Sequence, residues 1–285
     1  MASTTLLLLA YCVAIAACSY LGGRLPGRVK MTHTGTQLIM STVSGLMLGV
    51  AFYHLLPHSI ALRGEPAGVD SAVWWLVVGL IVMLLLLRLF NFHEHDFSAE
   101  HSQQHEHEPH GSEPHVHATE VAGNVHGLSW VGLSIGLGLH TLIDGIALGA
   151  VMSGGVAADG LLGVGVFLAI LLHKPLDSMS IVTVMQALGW DRAARERANI
   201  LFALLCPLGA LLFYFGLGMA AESVPIVAAA LAFSAGAFIC IALSDLLPEV
   251  HFHSHDKVKL TLAFLLGIGI AYGMGMLEPP SFHNH

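Results

Sequence analysis

Eight long apolar runs divide the chain, at residues 4–21, 37–61, 72–92, 127–152, 161–187, 198–220, 224–247 and 258–277, with short polar stretches between most of them. A helix rising 1.5 Å per residue crosses a hydrocarbon core of about 30 Å in about 20 residues. Lipid offers backbone N–H and C=O groups no partners, so each run is predicted to be helical. The chain reads as an all-α polytopic membrane protein of eight transmembrane helices, a single transmembrane domain over residues 1–285. Composition agrees: 55% of residues are hydrophobic and 11% charged, with a mean hydropathy of +0.74, which excludes an ordinary soluble domain.

Orientation follows from the cations. Arg24, Arg28, Lys30, Arg88, Arg192, Arg195, Arg197, Lys257 and Lys259 all fall on one side of an eight-span path, leaving Arg63 opposite and Lys174 inside the fifth span. The positive-inside rule makes that side cytoplasmic and both termini outside; the net charge of −8 does not oppose this, because the rule counts cations near helix ends. Residues Ile15-Ala16-Ala17-Cys18 have the shape of a lipoprotein cleavage site, but no charge precedes Arg24. The first run is therefore read as a retained helix rather than a signal peptide. Cys12, Cys18, Cys206 and Cys240 all lie in apolar runs, so buried thiols are expected rather than disulfides.

Residues 93–126 break the pattern. They hold nine of the 19 histidines, among them His93, His95, His105, His107, His115 and His117, interleaved with acids and without Lys or Arg. Such a tract cannot bury a core and is expected to be a disordered cytoplasmic loop. Its imidazoles and carboxylates suit Zn²⁺ or similar ions at modest affinity; the alternative is a solvated acidic loop that binds metal incidentally.

The polar residues inside the apolar runs carry more information, because they are costly in hydrocarbon and mark paths or sites. In the fourth run "HTLIDG" places His140 and Asp144 four apart, and in the fifth "HKPLD" places His173 and Asp177 at the same spacing. Residues four apart lie about 40° from one another around a helix. Two such pairs on consecutive helices can converge on an N₂O₂ cage whose carboxylates balance a divalent charge. A bland alternative is that each His bonds its own Asp and ties helices together. Pro175 removes a backbone hydrogen bond and frees the carbonyl of Leu171, kinking the helix near these residues. Gly132, Gly136, Gly145 and Gly149 allow the fourth helix to approach a neighbour closely.

These strings, with "HLLPHS" at 54–59 and "SAGAFICIALSDLLPEV" at 234–250, resemble the ZIP (Zrt/Irt-like) divalent-metal transporter family over essentially the whole chain. The resemblance implies that His140, Asp144, His173 and Asp177 form a primary metal site halfway across the membrane. It also implies a second metal position, but the residues there are Thr141, Lys174 and Cys206, so the expected oxygen ligands are largely missing. Lys174 is expected to occupy the region of the absent second cation and to screen Asp177, leaving one ion per site; snorkelling to a surface is its alternative. A branch of the family typified by Golgi members is similar in pairing His with Lys here.

"YHLLPH" (53–58) and "SDLLPE" (244–249) look like inverted copies, and inverted repeats are common in secondary transporters. His54, His58, Asp245 and Glu249 then read as entrance and exit stations. The resemblance further implies net movement of metal toward the cytosol by sliding the bundle of helices 1, 4, 5 and 6 against helices 2, 3, 7 and 8. Zinc is the expected substrate, with Cd²⁺, Fe²⁺ and Mn²⁺ compatible with the same ligands. No phosphate-binding loop suggests ATP-driven transport. An intramembrane metalloenzyme is a rival reading, weakened by the lack of an HExxH motif and of a further general base, so the protein is not read as an enzyme; a metal sensor that does not transport is another. Expected partners are divalent ions, the lipid bilayer and a second copy in a homodimer, with no nucleic acid. The expected location is a bacterial plasma (inner) membrane.

Overall fold

The computed structural model describes residues 2–25, 33–64, 66–89, 119–153, 163–217, 224–252 and 257–275. Within them the chain is nearly all helical and has no strand. The helices are α1 (Ala2–Gly23), α2 (His33–Val50), α3 (Leu56–Arg63), α4 (Ala67–Leu89), α5 (Thr119–Ser153), α6 (Val164–Ala187), α7 (Arg192–Leu212), α8 (Val224–Phe252) and α9 (Lys257–Gly275). A π-helical turn at Ala51–Leu55 joins α2 to α3, and another at Phe213–Leu217 extends α7. Eight stretches among the described residues are long and apolar enough to cross a membrane, the second being the continuous α2–π–α3 unit. The protein is an integral membrane protein built from the spans that the hydrophobic pattern predicts.

The boundaries have local causes. Leu188 and Gly189 close α6: Trp190 N donates to Met185 O at 3.0 Å and Gly189 N to Gln186 O at 3.1 Å, with Gly189 at φ 75°. This is the paired hydrogen-bond pattern of a helix ended by a left-handed glycine. Two residues later Asp191 caps α7 by accepting from Ala194 N at 2.6 Å. The two signals make a tight α6–α7 hairpin. α5 starts at Thr119, so the final residues of the tract 93–126 are helical rather than loop. Pro114 is the last proline of that tract, so none falls within α5. The rest of that tract, with His93, His95, His105, His107, His115 and His117, lies outside the described residues.

The helices pack as two four-span groups. α1, α5, α6 and α7 form one, with extensive α5–α7, α1–α6 and α1–α7 contacts; α2–α3, α4, α8 and α9 form the other, through α2–α9, α4–α8 and α2–α8. Three crossings inside the groups use the same device. Gly45 sits on the Phe264 carbonyl and Gly267 on that of Thr42; Gly79 on Phe233 and Gly236 on Leu76; Gly145 on Cys206 and Gly209 on Leu142. In each pair the carbonyl lies three residues before the partner glycine, and an added Cβ would collide with it. The backbones are therefore in direct contact, as small residues permit in membranes. Gly145 and Gly149 thus serve the α5–α7 crossing, not the α5–α6 contact that carries the two His/Asp pairs.

Candidate metal centre

His140 and Asp144 lie on α5 and His173 and Asp177 on α6, each within a membrane-spanning stretch. Their four-residue spacing puts each pair on one face, and the helices bring those faces together. His140 Nε2 stands 3.4 Å from Asp144 Oδ2 and 3.6 Å from Asp177 Oδ2; His173 Nε2 stands 3.1 and 3.8 Å from the same two atoms. The four residues each offer one ligand atom, all within 4.8 Å of one another. Ligands about 2.0–2.2 Å from a tetrahedral zinc ion stand about 3.3–3.6 Å apart. The observed N···O separations bracket that edge length.

Hydrogen bonding adds a chemical argument. His173 Nδ1 donates to the Ala169 carbonyl at 2.6 Å. Nε2 lies 3.1 Å from Asp144 Oδ2: with both ring nitrogens protonated this is a hydrogen bond, and in the neutral ring Nε2 keeps a lone pair free to ligate a metal ion. Asp144 Oδ1 and His140 Nδ1 are buried without a hydrogen-bond partner, a rare condition for interior polar atoms. Single His–Asp bonds within each helix do not describe this arrangement, because every imidazole faces both carboxylates.

Lys174 is fully buried, with 0% of its surface exposed, so it does not snorkel. Its Nζ donates to Asp177 Oδ2 at 2.7 Å and to Thr141 Oγ1 at 3.3 Å, and it pairs directly with Asp144 Oδ2. The sequence argument placed the ammonium beside Asp177; it touches both aspartates, because a turn of α6 carries it toward Asp177 while the α5 face brings up Asp144 and Thr141. The same oxygens that face the imidazoles therefore also face an ammonium. Cys206 is buried on α7, where its carbonyl receives Gly145.

The surroundings hold the centre in place. The Leu171 carbonyl freed by Pro175 accepts from Cys18 Sγ at 3.6 Å, so it turns to α1 and not toward the His/Asp cage. Gly22 of α1 packs on Pro175, and Ser19 bonds Ser178 at 2.6 Å. Ser178 in turn donates to the Lys174 carbonyl at 3.0 Å. These α1 partners, Cys18 and Ser19, escape a sequence reading because they look like part of an apolar run. From the other helix group, Phe238 of α8 meets the His173 ring edge-on, with centroids 6.4 Å apart.

The described pathway candidates, His54 and His58, make contacts other than with the four cage residues. His54, in the π turn, is buried; its Nε2 donates to Ala271 O at 2.9 Å, and its ring lies where a Cβ on Gly165 would stand 3.2 Å away. His58 Nδ1 lies 2.6 Å from the His54 carbonyl. The side chains of Asp245 and Glu249, near the end of α8, lie outside the described residues.

With this geometry in hand, comparison with known proteins is specific. The family model described as ZIP zinc transporter matches residues 89–275. Zinc transporter ZIP9-B of Xenopus laevis is 26% identical over 300 residues, covering 91% of this chain and 88% of the relative. Zinc transporter ZIP9 of Micropogonias undulatus is 32% identical over 147 residues, covering 50% and 46%. Zinc transporter ZIP6 of Homo sapiens is 28% identical over 181 residues, covering 60% of this chain and 23% of the relative. An integral membrane protein with eight apolar spans, a buried His/Asp cluster between two of them and a family match over most of its length leaves one assignment: the chain belongs to the ZIP zinc transporter family.

Proposed function

We propose that this protein moves a divalent metal ion, zinc in the first instance, toward the cytosol through a site made by His140, Asp144, His173 and Asp177. The observation that carries the reading is the convergence of two imidazole nitrogens and two carboxylate oxygens within 4.8 Å inside the membrane-spanning bundle. Cadmium, iron(II) and manganese(II) fit the same donor set, with zinc favoured by the tetrahedral spacing. The protein acts as a transporter, not an enzyme; the relatives are named as zinc transporters.

The centre holds one ion at a time in this reading. Lys174, hydrogen-bonded to Thr141, supplies the positive charge that a second ion would supply, and Cys206 adds no hard oxygen ligand. An arriving divalent ion competes with the ammonium for Asp144 and Asp177, and ammonium–ion repulsion then limits affinity. A site that binds without trapping its ion suits transport. The imidazoles must be unprotonated and the carboxylates ionised to bind, so affinity falls in acid.

Access alternates when the α1–α5–α6–α7 group, which owns all four ligands, shifts against the other group. His54 and His58 on one side and Asp245 and Glu249 on the other serve as relay positions. Both termini face outside and the tract 93–126 meets the ion in the cytoplasm, a reading supported by the cation distribution. The two LLP strings belong to an inverted repeat, a homodimer forms through lipid-facing helices, and the membrane is a bacterial plasma membrane. Uptake of radiolabelled zinc into proteoliposomes tests the central function. Saturable uptake lost in His140→Ala and Asp177→Ala supports it; binding without uptake by the unaltered protein identifies a sensor instead.

A further inference from the structure

A second constellation lies at the far end of the same helix group and shares no residue with the metal centre. A pocket of about 130 Å³ opens where α1 ends, α6 ends and α7 begins. Three arginines line it: Arg24 just past α1, and Arg192 and Arg195 on the first turn of α7. The one acid among its lining residues, Glu196, is already engaged, accepting from Tyr20 Oη and from Arg24 Nη2, the latter at 2.5 Å. Arg24 also stacks over the Tyr20 ring, 4.6 Å from its centroid. The lining therefore carries two positive charges in excess of its acid.

Two of the arginines have side-chain partners, Arg24 on Glu196 and Arg195 on Gln186, which a topology signal alone does not require. Arg195 Nη1 donates to Gln186 Oε1 at 2.7 Å across the α6–α7 hairpin, while its Nε is buried without a hydrogen-bond partner. Asn199, 2% exposed, ties α7 to the end of α1 through a 2.9 Å bond to the Tyr20 carbonyl. The Gly189 and Asp191 signals hold the hairpin that sets Arg192 and Arg195 beside Gln186. Guanidinium groups gathered at one pocket present paired N–H donors that match a tetrahedral oxyanion. A volume of 130 Å³, several times the roughly 30 Å³ of a water molecule, admits a phosphate group. Excess positive charge rules against a metal cation there, and basic pockets between helices on the cytoplasmic side are suited to anionic headgroups.

We propose that the Arg24–Arg192–Arg195 pocket binds a phosphate group, borne by an anionic lipid headgroup or free in the cytoplasm. Because it joins three of the four helices of the group that carries the metal site, its occupant braces that group at one membrane face.

The test uses the full chain in phosphatidylcholine nanodiscs, with calorimetric titration of two probes, inorganic phosphate and dioctanoyl phosphatidic acid. Saturable binding of either, falling at least tenfold in an Arg192→Gln/Arg195→Gln double variant with zinc binding unchanged, supports the site. Binding of both probes assigns recognition to the phosphate group itself, whereas binding of the lipid alone assigns it to the bilayer. Gln186→Glu, which keeps all three arginines and adds an opposing charge at the rim, guards against misfolding of the double variant and is expected to weaken binding by a similar factor. The proposal is overturned if neither probe binds saturably, or if a folded variant of either design binds as tightly as the unaltered protein.

Discussion

The two helix groups use the same backbone packing for different ends. In the α2–α3–α4–α8–α9 group, the Gly45/Gly267 and Gly79/Gly236 crossings press backbone on backbone. In the α1–α5–α6–α7 group one such crossing, Gly145/Gly209, supports a set of buried polar side chains: Thr141, His140, Asp144, His173, Lys174, Ser178 and Asn199. Between the groups, the contacts at the centre are made by side chains, with Phe238 against His173 and the His54 ring against Gly165. All four candidate ligands belong to one helix group, so the alternating movement proposed above would carry the ligand set as a unit.

The sharpest way to break this comparison is to remove a ligand from the chemical group. His140→Ala or Asp177→Ala is expected to lower zinc affinity on the order of 100-fold or more, beyond the 10–100-fold that partners of metal ligands typically contribute. Titration of zinc into purified protein reads this, and retention of full affinity in both variants breaks the assignment. Lys174→Ala comes next. It leaves two buried carboxylates without their ammonium, and breaking a buried ion pair costs about 3–5 kcal/mol. Thermal unfolding is expected to show that loss, with added zinc restoring more stability to the variant than to the unaltered chain.

The scaffold group should respond oppositely. Gly236→Ala drives a methyl into the Leu76 carbonyl and is expected to destabilise by about 1–3 kcal/mol, as overpacking does. Zinc affinity of the folded fraction should not change; if it falls as far as in the ligand variants, the two groups are not separate in function. The smallest effect is expected at Ser19→Ala, which removes one hydrogen bond to Ser178 worth about 0.5–1.5 kcal/mol. It should shift the unfolding midpoint slightly and leave uptake near its starting rate.

Much of the fold could be read directly from hydropathy, because lipid forces every apolar run into a helix. The α5 start at Thr119 could not, since a polar tract adjoining a span carries no hydrophobic signal. That His140 and Asp144 share one helix face, and His173 and Asp177 another, was legible from two matched four-residue spacings; that the two faces meet is seen only in the packing. The contact of Lys174 with Asp144 was not, because it depends on the rotation of α6 relative to α5, which spacing within either helix leaves free. Pro175 announced an orphaned carbonyl at Leu171, yet only packing reveals that Cys18 of α1 takes it. The π turn around His54 has no sequence mark beyond the nearby Pro57. The three glycine crossings illustrate the same limit: glycines are visible in the sequence, but their partners are not.

The central claim is that the His/Asp cage holds one ion and that the Lys174 ammonium takes the place of a second. Counting zinc bound per polypeptide, in protein lacking the tract 93–117 so that its histidines do not contribute, tests it most directly when the unaltered centre is compared with Lys174→Asp. The account predicts one zinc ion in the former and two in the latter. Two ions with Lys174 in place, or one ion in both proteins with transport intact, would contradict it.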